Sequence, residues 1–365
     1  MNQALASERL HDLENRLGIL ICGHGSRNRL AIDEFAKLAS RLKSKLPAIP
    51  VEYGYLEFAR PTIRTSLDRL QEQSVDRVIA LPAMLFAAGH VKNDIPALLN
   101  KYSHETGLTI NYGRELGINN SMVSAAAARV QETLEASSDC PNSETLLVVV
   151  GRGSSDPDAN ANVSKITRML VEGFGFGWGE TVYSGVTFPL VEPGLRQLVR
   201  LGFRRIIVFP YFLFSGVLVS RIRMHTKKVA DDFPQIQFLN ASYLDSHPLV
   251  IETFKDRFEE VLVGNNLMNC ALCKYRSSLV GFESEVSLTQ TSHHHHVEGL
   301  QESCMLCESE CTGECEKEGL GVFKDHLQED SHQIHDHEHY PYPNADHPLG
   351  PKTLLTHRET KAKEK

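Results

Sequence analysis

Two histidines of the 365-residue chain stand in settings suited to chemistry, His24 in Gly23-His24-Gly25-Ser26-Arg27 and His90 in Gly89-His90-Val91-Lys92-Asn93-Asp94-Ile95-Pro96. Neutral imidazole both ligates a divalent ion and accepts a proton near pH 7. A pair brought together is therefore suited to metal or proton work, while either one alone also reads as a helix cap or a turn residue. Gly23 and Gly25 permit a sharp turn, which a phosphate-binding loop would share. No Walker-type lysine follows, which argues against a nucleotide. Glu57, in Tyr55-Leu56-Glu57-Phe58-Ala59-Arg60-Pro61, is either a solvated strand end or a third polar group at the same edge.

The chain holds a second copy of the unit that lacks both histidines. Leu17-Gly18-Ile19-Leu20-Ile21-Cys22-Gly23-His24-Gly25-Ser26 matches Leu146-Leu147-Val148-Val149-Val150-Gly151-Arg152-Gly153-Ser154-Ser155, with Arg152 in place of His24. Arg77 to His90 matches Arg205 to Val217 with one residue gapped, so an aliphatic side chain replaces the second histidine. Between these anchors, Phe58-Ala59-Arg60-Pro61 resembles Leu190-Val191-Glu192-Pro193. Loss of both histidines together places the chemistry in the first copy. Each copy runs to about 130 residues, the size of a single domain.

Nearly continuous apolar runs at 17–22, 77–81, 145–150 and 205–209 read as strands buried on both faces, as parallel sheets require. The first half is expected to have strands near 17–22, 51–56, 77–82 and 108–112, with helices near 30–45, 61–72, 92–102 and 119–136. The second repeats the strands near 145–150, 181–186, 204–210 and 235–239. Pro61, Pro193 and Pro248 are placed in first helical turns, where proline is tolerated. The fold class is α/β: two tandem doubly wound, flavodoxin-like lobes with parallel sheets. Ligands of such sheets bind beyond the carboxyl ends of the strands, and His24 and His90 follow the first and third. With the order 2-1-3-4 of small flavodoxin-like sheets these strands are neighbours, and the two imidazoles converge.

At these residues the chain resembles the class II tetrapyrrole chelatase family, in the long-form sirohydrochlorin cobaltochelatase variety. The motifs Gly-His-Gly-Ser-Arg, Tyr-Leu-Glu-Phe-Ala-x-Pro, Leu-Phe-x-x-Gly-His-Val and Asp-Ile-Pro carry the resemblance, over about residues 15 to 265. It implies a chelatase-type fold of two similar lobes with the tetrapyrrole between them, and a histidine pair, matching His24 and His90, that carries metal insertion. The domains would be an extension at 1–16, a catalytic lobe at 17–138, a degenerate lobe at 139–264 and a tail at 265–365. Insertion removes two pyrrole N–H protons, so the site needs a base and loosely held ligands; Glu57 serves as a second base or orients a histidine. Imidazole suits Co(II), Fe(II) and Ni(II) alike. Co(II) is favoured because the long form and histidine-rich tail match cobalamin-pathway enzymes, with sirohaem-forming Fe(II) insertion or Ni(II) insertion as rivals. The carboxylate-rimmed substrate calls for cations and helix amino termini. Ser26, Arg27, Arg29, Arg60, Arg64 and Lys92 qualify, as do Arg152, Ser154 and Ser155 of the second lobe, although each also reads as a solvated loop residue. Neighbouring tetrapyrrole-pathway enzymes are candidate partners.

Net charge is −8 and pI about 6.1, which disfavours nucleic acid. Met1 to Arg16 lacks an apolar signal region, and no run reaches the roughly 18 apolar residues of a membrane helix. The reading is a cytoplasmic enzyme. Six of eight cysteines and eleven of seventeen histidines follow residue 264, amid too few apolar residues for a core, so the tail is expected to be largely disordered without metal. In a reducing compartment clustered thiols are metal ligands rather than disulfides. Cys304, Cys307, Cys311 and Cys315 also fit one helix face and suit zinc or incoming cobalt. By resemblance, the Met-x-Cys-x-x-Cys unit holding Cys270 and Cys273 implies a [4Fe-4S] cluster, with partners drawn from those four. His293, His294, His295 and His296, with His326, His332, His335, His337 and His339, suggest a store that raises local metal concentration, or a solvated tract that binds metal adventitiously. Two readings of other classes remain: a metal buffer or metallochaperone whose function is the tail, and a binding module that holds a tetrapyrrole without turnover.

Overall fold

The computed structural model describes residues 16–154 and 156–264. The first half runs β1 (Leu17–Gly23), α1 (Arg29–Lys45), β2 (Val51–Tyr55), α2 (Ile63–Glu72), β3 (Arg77–Pro82), a π-helical turn (His90–Asp94) continuing into α3 (Ile95–Thr106), β4 (Thr109–Tyr112) and α4 (Asn120–Glu135). The second runs β5 (Thr145–Gly151), α5 (Pro157–Phe174), β6 (Trp178–Tyr183), α6 (Val191–Leu198), β7 (Arg205–Pro210), α7 (Val217–Asp232), β8 (Gln237–Asn240) and α8 (Pro248–Leu262). Each half forms a four-stranded parallel sheet, in the orders β2-β1-β3-β4 and β6-β5-β7-β8. The expected doubly wound α/β lobes are thus observed.

Strand alternation explains the layering. Ile19, Ile21, Ile79 and Leu81 face Phe35, Leu38 and Leu42 of α1. On the opposite face Leu20, Val78 and Ala80 meet Ile63, Leu67 and Leu70 of α2 and Leu98, Leu99 and Tyr102 of α3. Burial on both faces is why these strands read as continuous apolar runs. The second sheet repeats the scheme, with Leu146, Val148 and Val150 against α6 and α7.

The closing helix of each half crosses to the other. Helix α4 packs on α5 and α8, while α8 packs on α1, α4 and β3. Arg257 of α8 is buried and donates from Nε to the Glu115 carbonyl at 2.9 Å and from Nη2 to the Leu116 carbonyl at 2.5 Å. Arg129 of α4 reciprocates with 3.0 Å to the Leu244 carbonyl. One continuous core therefore spans both sheets, joining Met122, Ala126 and Val130 of α4 to Phe254 and Phe258 of α8.

Several sequence expectations need correction. Pro61 precedes the helix instead of opening it: α2 begins at Ile63 behind the Thr62 cap, whose Oγ1 accepts from Thr65 N at 3.1 Å. Pro193 and Pro248 do fall in the first turns of α6 and α8. The strand expected near 181–186 stops at Tyr183, because Thr187 N bonds back to the Gly185 carbonyl at 2.8 Å in a tight turn. Pro61 is the counterpart of Pro189, not Pro193: Tyr55 N donates to Pro61 O and Tyr183 N to Pro189 O, at 2.9 and 2.8 Å. The sequence alignment of that segment was therefore displaced by four residues. His90 rides on the π turn that opens the α3 segment, where a loop was expected. Ser155, His293 to His296 and the tail cysteines Cys270, Cys273, Cys304, Cys307, Cys311 and Cys315 lie outside the described residues.

Because Phe254 is fully buried in the shared core, Phe254→Ala is expected to cost about 3–5 kcal/mol. Chemical denaturation followed by circular dichroism should show both lobes losing structure in one shifted transition.

Candidate metal centre

The site is built on the carboxyl edge of the first sheet. The β1–β2 ladder continues past the strand ends, with Leu56 N donating to Gly23 O at 2.8 Å and Glu57 N to His24 O at 2.9 Å. This demands glycine at residue 25, which has φ +103° and whose imagined Cβ would lie 1.6 Å from the Glu57 carbonyl oxygen. Phe58, just beyond, takes a left-handed φ of 63°, a conformation costly for a bulky residue and characteristic of functional sites. Its ring sits 5.9 Å from that of His24 and 5.2 Å beneath the Arg27 guanidinium.

His24 Nε2 lies 3.0 Å from Glu57 Oε1, and the His24 and His90 ring centroids are 4.4 Å apart, edge to face. One ligand atom from each of His24, Glu57 and His90 fits within a 4.8 Å set. Ligand bonds near 2.0–2.2 Å need donors only slightly closer than this. His24 Nδ1 is 3.0 Å from the Gly25 carbonyl, which only accepts, so Nδ1 carries the proton and Nε2 the lone pair. His90 Nδ1 lies 2.7 Å from Asp94 Oδ2, and the same logic leaves Nε2 as its ligand atom. Asp94 is fully buried and also accepts from Asn93 Nδ2 at 2.9 Å. Such a carboxylate fixes ring orientation and raises ligand basicity.

Burial pushes the Glu57 carboxyl up to about 7, with Asp94 adding to the rise and Arg152 and Arg27 opposing it. Near neutrality the Glu57 carboxyl is therefore partly protonated, 3.0 Å from His24 Nε2, and an arriving cation takes the place of that proton.

The second lobe keeps this backbone and changes the chemistry. Gly153 at φ +87° approaches the Gly185 carbonyl as Gly25 approaches Glu57, with an imagined Cβ at 1.8 Å. Arg152, Gly185 and Val217 thus stand where the first lobe has His24, Glu57 and His90. Arg152 is exposed and lies near enough to Glu57 for its charge to oppose the rise of that carboxyl. Lys92, expected at a ligand carboxylate, is instead buried in an ion pair with Asp156 at 2.5 Å, joining the His90 turn to the cap of α5. Arg64 is engaged by Glu105 at 2.9 Å and lies over Tyr102. Ser26 Oγ accepts from Asn28 N at 3.0 Å and Ser154 Oγ from Asp156 N at 3.0 Å, so both hydroxyls shape their loops. Arg27 and Arg29 are exposed and Arg60 is half-buried. Asp94, Asp156 and Phe58 received no role from sequence; only Asp94 left a signal there, its four-residue spacing from His90.

The CbiX family model matches twice, over residues 18–133 and 146–261. The chain belongs to the CbiX family. Each CbiX unit supplies one of the two sheets. A sirohydrochlorin cobaltochelatase of Priestia megaterium is 36% identical over 267 residues, 72% of this chain and 85% of the relative. A sirohydrochlorin ferrochelatase of the same organism is 30% identical over 230 residues, 63% of this chain and 84% of the relative. The solved structure of SirB from Bacillus subtilis with Fe3+ superposes with a TM-score of 0.61 at 27% identity, covering 70% of this chain and all of SirB. Among the described residues of this CbiX protein, no helix is long and apolar enough to cross a membrane.

The Glu57 proton sets an expected pH response. The raised Glu57 carboxyl is protonated below about 7, so Co(II) affinity measured by calorimetry should strengthen as pH rises from about 6 to 8. Glu57→Gln should weaken binding about 10–100-fold and flatten that rise.

Proposed function

We propose that this chain is a sirohydrochlorin chelatase that inserts Co(II), using His24, Glu57 and His90 to hold the ion and take up the displaced protons. The observation that carries the reading is the convergence of these three ligand atoms within 4.8 Å at one sheet edge. Insertion exchanges one divalent cation for two pyrrole protons. A ligand set in which one member already carries a proton suits both halves of that exchange: Glu57 releases its proton as the ion arrives, then the Glu57 carboxylate and His24 Nε2 each take one of the two pyrrole protons as the ion passes to the ring nitrogens. Three protein ligands leave coordination positions open for the ring nitrogens, so the ion stays transferable. Arg27, Arg60 and Arg152 are the cations we assign to the substrate carboxylates.

Cobalt is preferred because the relative at 36% identity carries the cobaltochelatase name; the ferrochelatase relative at 30% makes Fe(II) the second reading. Affinity order alone does not separate these metals. A metal buffer has no use for a histidine pair and carboxylate set on a sheet edge near an arginine.

Anaerobic spectra of sirohydrochlorin with Co(II), Fe(II) or Ni(II) test the proposal. The wild-type chain should accelerate insertion, fastest with Co(II), and His24→Ala/His90→Ala should lower the rate at least about a hundredfold. Undiminished turnover in the double variant overturns the site assignment, and no acceleration by the wild type favours metal buffering.

The cysteines and histidines beyond residue 264 we assign to metal collection that feeds this edge by local concentration. Replacing His293, His294, His295 and His296 by alanine should lower the cobalt bound per chain in equilibrium dialysis and slow turnover at limiting Co(II). At saturating Co(II) the rate should be unchanged.

A further inference from the structure

The second lobe has lost its ligands but presents side chains a folded protein normally hides. Val186, Phe188 and Val217 are 68%, 79% and 64% exposed. Val186 and Phe188 sit on the loop after β6 and Val217 opens α7 after β7, at the carboxyl edge that also carries Arg152 after β5. Ser184 Oγ donates to the Arg152 carbonyl at 3.1 Å, tying the β6 loop to that residue. Leu30, 56% exposed on the first lobe, continues the surface. It lies one turn before Glu34 on the same helix face, and Glu34 Oε2 accepts from Ser215 N at 2.7 Å, so the helix that carries Leu30 meets the loop leading to Val217.

The space before these residues is open. An imagined Cβ at Gly185 or Gly216 meets no atom within 4 Å, whereas one at Gly153, facing inward, meets the Gly185 carbonyl at 1.8 Å. The backbone that shapes the ligand edge of the first lobe is thus retained here with its three ligand positions converted to Arg152, Gly185 and Val217, and with Phe188 in the position of Arg60. Apolar side chains beside an arginine and open space, on an edge that the Lys92–Asp156 and Ser215–Glu34 contacts join to the first lobe, suit a flat ligand with apolar faces and an anionic rim. Aromatic and branched aliphatic side chains cover a conjugated face, and Arg152 beside them takes a rim carboxylate.

We infer that Val186, Phe188, Val217 and Leu30 form an apolar wall on which the macrocycle face rests, so that the second lobe holds the ring against the ligands of the first. The inference rests on the proposed chelatase reading. It assigns to the duplicated lobe the part of substrate affinity that comes from the ring body, distinct from the part that comes from its carboxylates.

The test is a Val186→Ser/Phe188→Ser variant of the full chain, with Phe188→Trp and Gly185→Leu beside it. Both serines replace exposed side chains, so the fold and Co(II) binding without tetrapyrrole should match wild type. The Kd for sirohydrochlorin, read by fluorescence quenching, and KM should rise about tenfold or more while kcat stays within about twofold. Phe188→Trp should retain affinity, and Gly185→Leu, which fills the open space, should weaken it. Unchanged Kd in the serine variant overturns the wall with the chelatase reading intact. A wild-type chain that neither binds nor metallates sirohydrochlorin removes both.

Discussion

Everything at the ligand edge depends on one close approach. The backbone at Gly25 passes so near the Glu57 carbonyl that any side chain there would overlap it. That approach lets the β1–β2 ladder run two residues beyond the strands, which sets His24 and Glu57 side by side with no flexible linker between either ligand and the sheet. The geometry is thus inherited from the rigid part of the fold, and His90 is aligned to it by a buried carboxylate one turn further along its own helix.

The two lobes are not separable parts. Exchange of α4 and α8 merges their inner layers into a single core, and the Lys92–Asp156 pair fastens the His90 turn to the second lobe. A buried pair of this kind is costly to break from one side, since the remaining charge is left without compensation. Its value lies in registration: the turn bearing His90 is held from the second lobe while the loops bearing His24 and Glu57 are held by the sheet.

Much of this was legible in the residues. Continuous apolar runs marked the four central strands, β1, β3, β5 and β7, and the duplication marked the two lobes. Glycine-flanked histidines at the ends of neighbouring strands pointed to the edge where His24, Glu57 and His90 come together. What stayed hidden depends on contacts distant in sequence or on hydrogen-bond register. Lys92 reads as a loop cation until Asp156, sixty-four residues on, is seen beside it. The π turn differs from an α turn only in which carbonyl each N–H reaches. The Pro61 segment was mismatched because prolines at both 189 and 193 satisfy a short motif, and only the Tyr183 N to Pro189 O bond separates them. Helix exchange leaves no trace in either half alone, since the apolar face of α4 is the same whichever sheet it covers.

The exchange of closing helices also bears on how one edge was freed from chemistry. Two identical halves related by a two-fold axis would present the same residues at both edges, so a change that improved one as a surface would spoil the other as a ligand set. Here a single chain runs from α4 through 136–144 into β5, and the symmetry of the backbone survives while that of the side chains does not. Covalent continuity lets two edges of one backbone plan diverge: His24 and Arg152 occupy the same place in the fold and are free to differ.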